Sequence, residues 1–224
     1  MPMFTTTSPR LVVALAATLG ASIALPVSAQ LGGRPAEEWA ITLESGRRLA
    51  SLEVQEVVDQ MNLESGEVVA DIGAGTGVFS VPMARAVGSE GRVISVEVDP
   101  GFLPMILAKA VLEDVSNISA VLGGFLDPRL PREDVDVAFF HDVLHHVDDR
   151  EAYLREVAKY MGPGSRMIVV DYDMNVDGIP HSNQPEMLIS PQQVAGWMSD
   201  IGFEVSYEIE MFDDKFFVVY SNQN

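Results

Sequence analysis

The chain contains no cysteine and few positively charged residues, and each shortage excludes some classes of function. Without cysteine there is no disulfide framework, no thiolate metal ligand and no thiol nucleophile. Only 14 lysines and arginines stand against 33 acids, which gives a formal net charge of −19 at pH 7. A surface this acidic repels phosphate backbones and anionic lipid headgroups, so we expect no nucleic-acid partner.

A hydrophobic run long enough for a comfortable membrane span is also missing. Residues 11–25 are apolar, but their length suits a signal-peptide core better than a transmembrane helix. The short side chains of Val27 and Ala29 fit cleavage after Ala29. We predict a signal peptide over residues 1–29, a periplasmic or secreted protein, and no stable membrane insertion after cleavage. An uncleaved N-terminal anchor is the alternative.

Size and composition indicate one ordinary domain. The 224 residues are 47% hydrophobic, which is enough apolar material for a full core. Low-complexity stretches and internal repeats are not apparent. We expect an N-terminal helical cap over residues 30–63 and the main domain over residues 64–224. The oligomeric state stays open.

The most informative stretch is VVADIGAGTGVFS, residues 68–80. An apolar run ends in Asp71, and Gly73, Gly75 and Gly77 follow at once. Glycine lacks a Cβ and accepts positive φ, so the backbone can approach a ligand closely. A strand-to-helix turn of this kind lies at the ligand-binding edge of doubly wound α/β folds. The alternative is a tight turn without a ligand.

The glycine spacing separates two classes of cofactor. Dinucleotide enzymes carry G-x-G-x-x-G, whereas this loop reads G-x-G-x-G, with Val78 in place of the third dinucleotide glycine. A carboxylate such as Asp71 repels a diphosphate but suits a ligand with an ammonium group. The spacing therefore disfavours a nicotinamide oxidoreductase.

The pattern D-x-G-x-G-x-G after a strand resembles the first motif of class I methyltransferases that use S-adenosyl-L-methionine. The resemblance implies that Asp71 lies near the amino-acid end of this cofactor and that Gly73, Gly75 and Gly77 make room for it. It covers about residues 66–220. It extends to a group of exported methyltransferase-like proteins with VADIGAGTG and DPRLP segments, the latter at residues 127–131 here.

A second acid, Glu97, ends the next predicted strand. A carboxylate at this position accepts hydrogen bonds from the ribose hydroxyls of an adenosine, although NAD enzymes use the same position. Asp99 is the alternative, with helix capping as its other role. After the third strand, family members often carry Gly-Asp, but here Gly124 replaces the acid. We expect backbone groups at Gly124 and the side chain of Phe125 or Leu126 to hold adenine, with Asp127 as a displaced acid.

Histidines follow the fourth predicted strand, in the stretch HDVLHH over residues 141–146. Similar stretches are frequent in small-molecule methyltransferases, including C-methyltransferases of quinone pathways. We predict His141 and His145 as candidate catalytic bases, and expect His146 to pack inward. Asp142 lies near the cofactor's sulfonium or caps the next helix. We predict no metal, because the chain has four histidines, no cysteine and no His-Glu-x-x-His motif.

Methyl transfer requires little chemical catalysis by side chains. It is an in-line displacement at a sulfonium carbon with an uncharged thioether leaving, so alignment and exclusion of water matter most. A base is needed only where the acceptor must lose a proton. Residues 171–173 are candidates for the acceptor pocket, and residues 174–188 for a lid. Arg47 and Arg48 are further candidates for covering this pocket, although the simpler interpretation is that they lie on a solvated helix face.

Strand and helix patterns alternate along the chain. We predict an α/β fold with a Rossmann-like, doubly wound, seven-stranded sheet, mostly parallel with a C-terminal antiparallel hairpin. The predicted strands are residues 67–72, 92–97, 117–122, 135–140, 166–171, 203–209 and 215–220. The predicted helices are residues 53–61, 78–87, 100–115, 150–161 and 191–201.

The sequence thus predicts an S-adenosylmethionine-dependent methyltransferase that acts on an unidentified small-molecule acceptor. The alternative is a catalytically silent, exported binding protein with the same fold. Predicted export favours the alternative, whereas the intact Asp71–Gly77 segment together with Glu97 favours the enzyme.

Overall fold

The computed structural model describes residues 33–223. The predicted signal peptide and its cleavage site lie outside these residues. Among the helices between residues 33 and 223, none combines the length and the apolar character that a membrane crossing requires.

A seven-stranded sheet forms the centre of the molecule, in the order β3-β2-β1-β4-β5-β7-β6. Strands β1 to β5 are parallel, and β7 runs antiparallel between β5 and β6. The predicted fold class is confirmed. The strands are β1 Val68–Ile72, β2 Arg92–Glu97, β3 Ile118–Leu122, β4 Val135–His141, β5 Met161–Tyr172, β6 Phe203–Glu208 and β7 Lys215–Asn222.

Helices cover both faces of the sheet. They are α1 Ala36–Leu43, α2 Gly46–Leu52, α3 Val54–Gln60, α4 Ser80–Val87, α5 Phe102–Leu112, α6 Arg150–Ala158 and α7 Pro191–Ser199. Single 3₁₀ turns occur at Leu144–His146 and Pro185–Met187. Helix α7 begins as predicted: the Ser190 hydroxyl accepts the Gln193 N–H at 3.1 Å, and the Gln193 side chain accepts the Ser190 N–H at 2.9 Å.

The central strand β1 is buried at all five positions, as expected for a parallel strand covered on both faces. Its residues alternate between two apolar clusters. Val69 packs with α3 and α4, whereas Ala70 and Ile72 pack with α6 and α7. Burial on both faces holds the end of β1 in place beneath the glycine-rich loop.

The junction between α6 and β5 differs from the prediction. We expected the helix to reach residue 161, but α6 ends at Ala158. Gly162, Pro163 and Gly164, which resemble a helix stop, lie inside β5. Met161 already pairs with Val135, and the register then shifts. The shift accommodates the glycines and proline as an irregularity, which a sequence pattern of regular strands does not reveal.

The strand order indicates which edge of the sheet is expected to bind a ligand. The chain builds β1, β2 and β3 in one direction and then crosses to β4 on the other side of β1. In such sheets a crevice opens at the carboxyl ends of the strands where the order reverses. The loops after β1, β2, β4 and β5 meet at this edge.

Candidate active site

The glycine-rich loop joins β1 to α4, as predicted. Gly73, Gly75 and Gly77 have φ of +72°, +54° and +78°. The N–H groups of Gly73 and Ala74 both donate to the Val96 carbonyl, at 2.9 and 3.0 Å. The loop is therefore tied to the end of the neighbouring strand β2.

Close packing explains why the first glycine is needed. A Cβ at Gly73 would lie 2.9 Å from the Cγ1 of Val143 and closer still to its Cγ2. Gly75 and Gly77 are less crowded, since a Cβ there would lie 3.4 Å from Leu43 and Ile106, respectively. The loop is thus enclosed by the segment after β4, by α1 and by α5.

Asp71 braces the loop from inside. Its Oδ2 accepts a hydrogen bond from the Ser80 hydroxyl at 2.5 Å, and the Ser95 hydroxyl donates to Ser80 at 2.8 Å. Burial raises the pKa of Asp71 to about 7; the Ser80 hydrogen bond opposes this shift, and the charge of Glu97 adds to it. The carboxyl group connects the end of β1 to the start of α4. Its contact with the amino-acid end of a cofactor stays a prediction.

Glu97 lies directly against the glycine-rich loop. Its Oε2 accepts the Gly75 N–H at 2.9 Å, and its Oε1 accepts the Val98 N–H at 2.7 Å. Burial raises the pKa of Glu97. Asp99 instead accepts the Gly101 N–H at 2.9 Å, just before α5. Of the two acids, Glu97 is therefore the one placed at the loop.

The segment after β3 continues this edge. The Gly123 N–H donates to the Glu97 carbonyl at 2.9 Å, and the Gly124 N–H donates to the Asp127 carbonyl at 2.8 Å. The Asp127 carboxylate already accepts the Tyr160 hydroxyl at 2.9 Å. Phe125 is 57% exposed, so its ring is accessible to a planar ligand.

His141 is buried at the end of β4. Its ring stacks on Phe79 with centroids 4.5 Å apart, and neither ring nitrogen has a hydrogen-bond partner among residues 33–223. Burial lowers the pKa of His141 to about 3, against the opposing charge of Asp142. The imidazole is therefore neutral at pH 7.

Asp142 pairs with two cations that come from distant parts of the chain. Lys215, at the start of β7, donates from Nζ to Oδ2 at 2.9 Å, and Arg48 of α2 donates to the same oxygen at 3.4 Å. Asp142 has φ +54°, which is unusual for a residue with a side chain. Asp149, not Asp142, caps α6, since it accepts the Ala152 N–H at 3.1 Å.

His145 and Asp171 form a buried pair. The His145 Nδ1 lies 2.6 Å from the Asp171 Oδ1, and the His145 backbone N–H donates to Oδ2 at 3.2 Å. With Nδ1 held by the carboxylate, Nε2 has no partner within the described chain. This is the arrangement of a general base oriented by a carboxylate.

His146 does not pack inward as we predicted. The 3₁₀ turn Leu144–His146 buries Leu144 and His145 and leaves His146 exposed. Its ring centroid lies 4.0 Å from that of His145, and His181 lies 5.1 Å from His145. Three of the four histidines therefore meet, although no sequence pattern indicated that His181 would join the pair.

Helices α1 and α2 cover the edge of the sheet that carries the glycine-rich loop. Leu43 lies over Gly75, Glu44 forms an ion pair with Lys109 of α5, and Arg48 reaches Asp142. The interpretation of Arg48 as part of a cover thus agrees with its contacts. No sequence pattern indicated Lys215, because it reaches the site only through the insertion of β7 beside β5.

A family model described as a methyltransferase domain matches residues 63–206. A demethylmenaquinone methyltransferase of Listeria monocytogenes serotype 4a is 26% identical over 117 residues, which are 52% of this chain and 49% of that protein. Phosphoethanolamine N-methyltransferase 1 of Arabidopsis thaliana is 25% identical over 118 residues, 53% of this chain and 23% of that protein. The chain spans about half the length, or less, of these relatives.

Solved structures share the fold. A SAM-dependent methyltransferase from Aquifex aeolicus has a TM-score of 0.73 at 22% identity, over 82% of this chain and 97% of that one. The [4+2]-cyclase SpnF has a TM-score of 0.67 at 13% identity, over 80% of this chain and 83% of that one. Since one of these proteins is named as a cyclase, the fold alone does not assign the reaction.

Replacement of Gly73 tests the packing of the loop. We expect Gly73→Ala to lower the free energy of unfolding by about 2–5 kcal/mol, because positive φ costs about 1–2 kcal/mol and overlap with Val143 adds about 1–3 kcal/mol. Gly164→Ala is the matched control: its φ is +76°, but a Cβ there meets no atom within 4 Å. Urea unfolding measures both variants, and equal losses would contradict the packing argument.

The pKa of Asp71 predicts a pH dependence of stability. The unfolded chain releases this proton near the ordinary value of 3.8, whereas the native state keeps it to about pH 7. Between these values the native state binds more protons, so the contribution of Asp71 to the free energy of unfolding falls as pH rises. Asp71→Asn removes that contribution.

Urea unfolding between about pH 4 and about pH 7 measures the effect. We expect the stability of the wild type, relative to that of Asp71→Asn, to decrease over this range. The exposed Asp148→Asn serves as a control. A constant difference between wild type and Asp71→Asn would show that the buried carboxyl does not carry the shift.

Proposed function

The chain belongs to the methyltransferase-domain family, whose relatives imply S-adenosylmethionine as the cofactor, and we propose that it transfers the cofactor's methyl group to a small-molecule acceptor. One observation carries the proposal: Glu97 lies at the Gly75 N–H on the same sheet edge as the His145–Asp171 pair. A candidate nucleoside-binding carboxylate and a candidate base thus lie on one edge of the sheet.

The residues of the loop fit this cofactor. Two buried carboxyl groups, Asp71 and Glu97, adjoin the glycine-rich turn. Asp71 disfavours a diphosphate and suits an ammonium group, whereas Glu97 suits ribose hydroxyls. We propose that Glu97 holds the ribose, that Gly73, Gly75 and Gly77 admit the amino-acid part, and that Asp71 braces the loop beneath it. Bound there, the cofactor supplies an electrophilic methyl group.

We also propose positions for the adenine and sulfonium ends of the cofactor. The backbone of Gly124 and the exposed ring of Phe125 follow β3 beside Glu97, and we propose that they flank adenine. Asp142, held by Lys215 and Arg48, lies at the end of β4 next to the loop that contains Gly73. We propose that Asp142 lies near the sulfonium, where Lys215 and Arg48 offset its charge, so that it confers no preference for the cationic cofactor over the neutral thioether product.

We assign the proton-accepting role to His145. Asp171 holds its Nδ1, so Nε2 is free to take a proton from an acceptor that must lose one. His141, our other candidate base, has a pKa of about 3 and binds protons too weakly for this role at neutral pH. We propose that it forms a neutral, buried wall stacked on Phe79.

The acceptor class follows from charge and from the relatives. The net charge of −19 disfavours a nucleic acid, and the names of two relatives point to small acceptors, demethylmenaquinone and phosphoethanolamine. We propose a small organic acceptor, and export directed by residues 1–29. The matched family favours the enzyme over a catalytically silent binding protein.

Calorimetric titration of the full chain tests the proposal. We expect S-adenosylmethionine and S-adenosylhomocysteine to bind and NAD not to bind. Glu97→Gln should weaken both affinities about 10- to 100-fold, because hydrogen bonds to a charged group contribute about 1.5–3 kcal/mol. Glu113→Gln, at a half-exposed ion pair with Arg85, is the control and should bind normally. Preference for NAD, or no loss in Glu97→Gln, would overturn the proposal.

A further inference from the structure

Although the sequence predicted no metal, we propose that His145, His146 and His181 bind a divalent transition-metal ion, with Zn²⁺ as the simplest occupant. One ligand atom from each imidazole can be chosen so that all three lie within 4.8 Å of one another. Zinc commonly binds histidine through an imidazole nitrogen. Catalytic zinc sites typically have three protein ligands and one open position.

The position of His145 supports this assignment most strongly. Its side chain is 4% exposed and Nδ1 is held by Asp171, yet the buried Nε2 has no hydrogen-bond partner in the described chain. A buried polar atom without a partner destabilises the native state, and a metal ion at Nε2 would remove that cost. The carboxylate on the opposite nitrogen is also the usual outer contact of a zinc-bound histidine.

The other two histidines reach the site from different segments. His146 follows His145 in the 3₁₀ turn, with ring centroids 4.0 Å apart. His181 lies in the connection between β5 and α7, and its Nδ1 contacts the Gln184 Oε1 at 3.0 Å. Because Nδ1 is engaged, we assign Nε2 as the ligand atom of His181. The backbone supports this turn, since the Gln184 N–H donates to the His181 carbonyl at 2.7 Å.

Small movements complete the coordination. Tetrahedral zinc with Zn–N distances of about 2.0–2.1 Å places its nitrogen ligands about 3.4 Å apart. The separations of up to 4.8 Å must therefore close by as much as about 1.4 Å. His145 is fixed by Asp171, whereas His146 is exposed and His181 is partly exposed, so these two can move towards it.

Metal binding itself does not depend on the proposed function, but its consequence does. In the metal-free protein Nε2 of His145 accepts the proton, as proposed above. A bound metal occupies Nε2, so that this nitrogen then no longer accepts one. We propose that an acceptor hydroxyl then takes the open coordination position, where the metal lowers its pKa and its proton leaves to solvent. The methylated oxygen would form one new C–O bond as the cofactor's S–CH₃ bond breaks.

Zinc titration of the metal-stripped full chain tests the site. We expect one Zn²⁺ per chain, and Co²⁺ in its place should give the visible absorption of a tetrahedral site. His181→Ala should weaken Zn²⁺ binding at least 100-fold and abolish the Co²⁺ spectrum. Asp171→Asn should weaken binding about 10- to 100-fold, because it removes the outer contact of a ligand. Asp148→Asn, an exposed acid beside the cluster, is the control.

Binding of S-adenosylhomocysteine by each variant shows whether it is folded and separates the two proposals. Zinc binding that is lost in His181→Ala while S-adenosylhomocysteine still binds supports the metal site. Zinc that binds equally weakly to wild type, His181→Ala and Asp148→Asn would reflect only the acidic surface and would overturn it. If the wild type binds zinc tightly but not S-adenosylhomocysteine, the proposed function fails and the metal site stands.

Discussion

The hydrogen bond between the Gly75 N–H and the Glu97 carboxylate is the contact on which the candidate site depends. It joins the loop after β1 to the end of β2, beside the bonds from Gly73 and Ala74 to the Val96 carbonyl. Because both strands are buried, this edge cannot shift without disturbing the core. The loop is therefore preformed, with backbone and carboxylate already in the positions where we propose that a nucleoside binds.

Charge divides the edge into two halves. The half beside β1 and β2 contains the buried acids Asp71 and Glu97, and the half beside β4 and β5 contains histidines. Between them Asp142 is held by Lys215 and Arg48, in a chain where cations are scarce. Since buried charges persist only when paired, these two cations keep Asp142 ionised at the boundary. A cationic cofactor and an acceptor that loses a proton would meet there.

Local patterns predicted most of the fold but not its long-range contacts. The strands ending at Ile72 and Glu97 follow from apolar runs with clear ends, and the glycines after β1 imply the turn that is observed. The extension of β5 was missed because Gly162 and Gly164 look like a helix stop. Lys215 and His181 reach the site only through the strand order and a long connection, and sequence spacing encodes neither. The roles assigned to the predicted site residues stay predictions.

A crystal structure of the full chain with S-adenosylhomocysteine would show whether the glycine-rich loop and the histidines serve one reaction. We expect the ribose hydroxyls to bind the Glu97 carboxylate beside Gly75, and the thioether sulfur to point towards Asp142 and His145. A nucleoside bound away from Glu97, or a sulfur directed away from β4, would contradict it. Such a result would separate the glycine-rich loop from the histidines and leave them without a shared reaction.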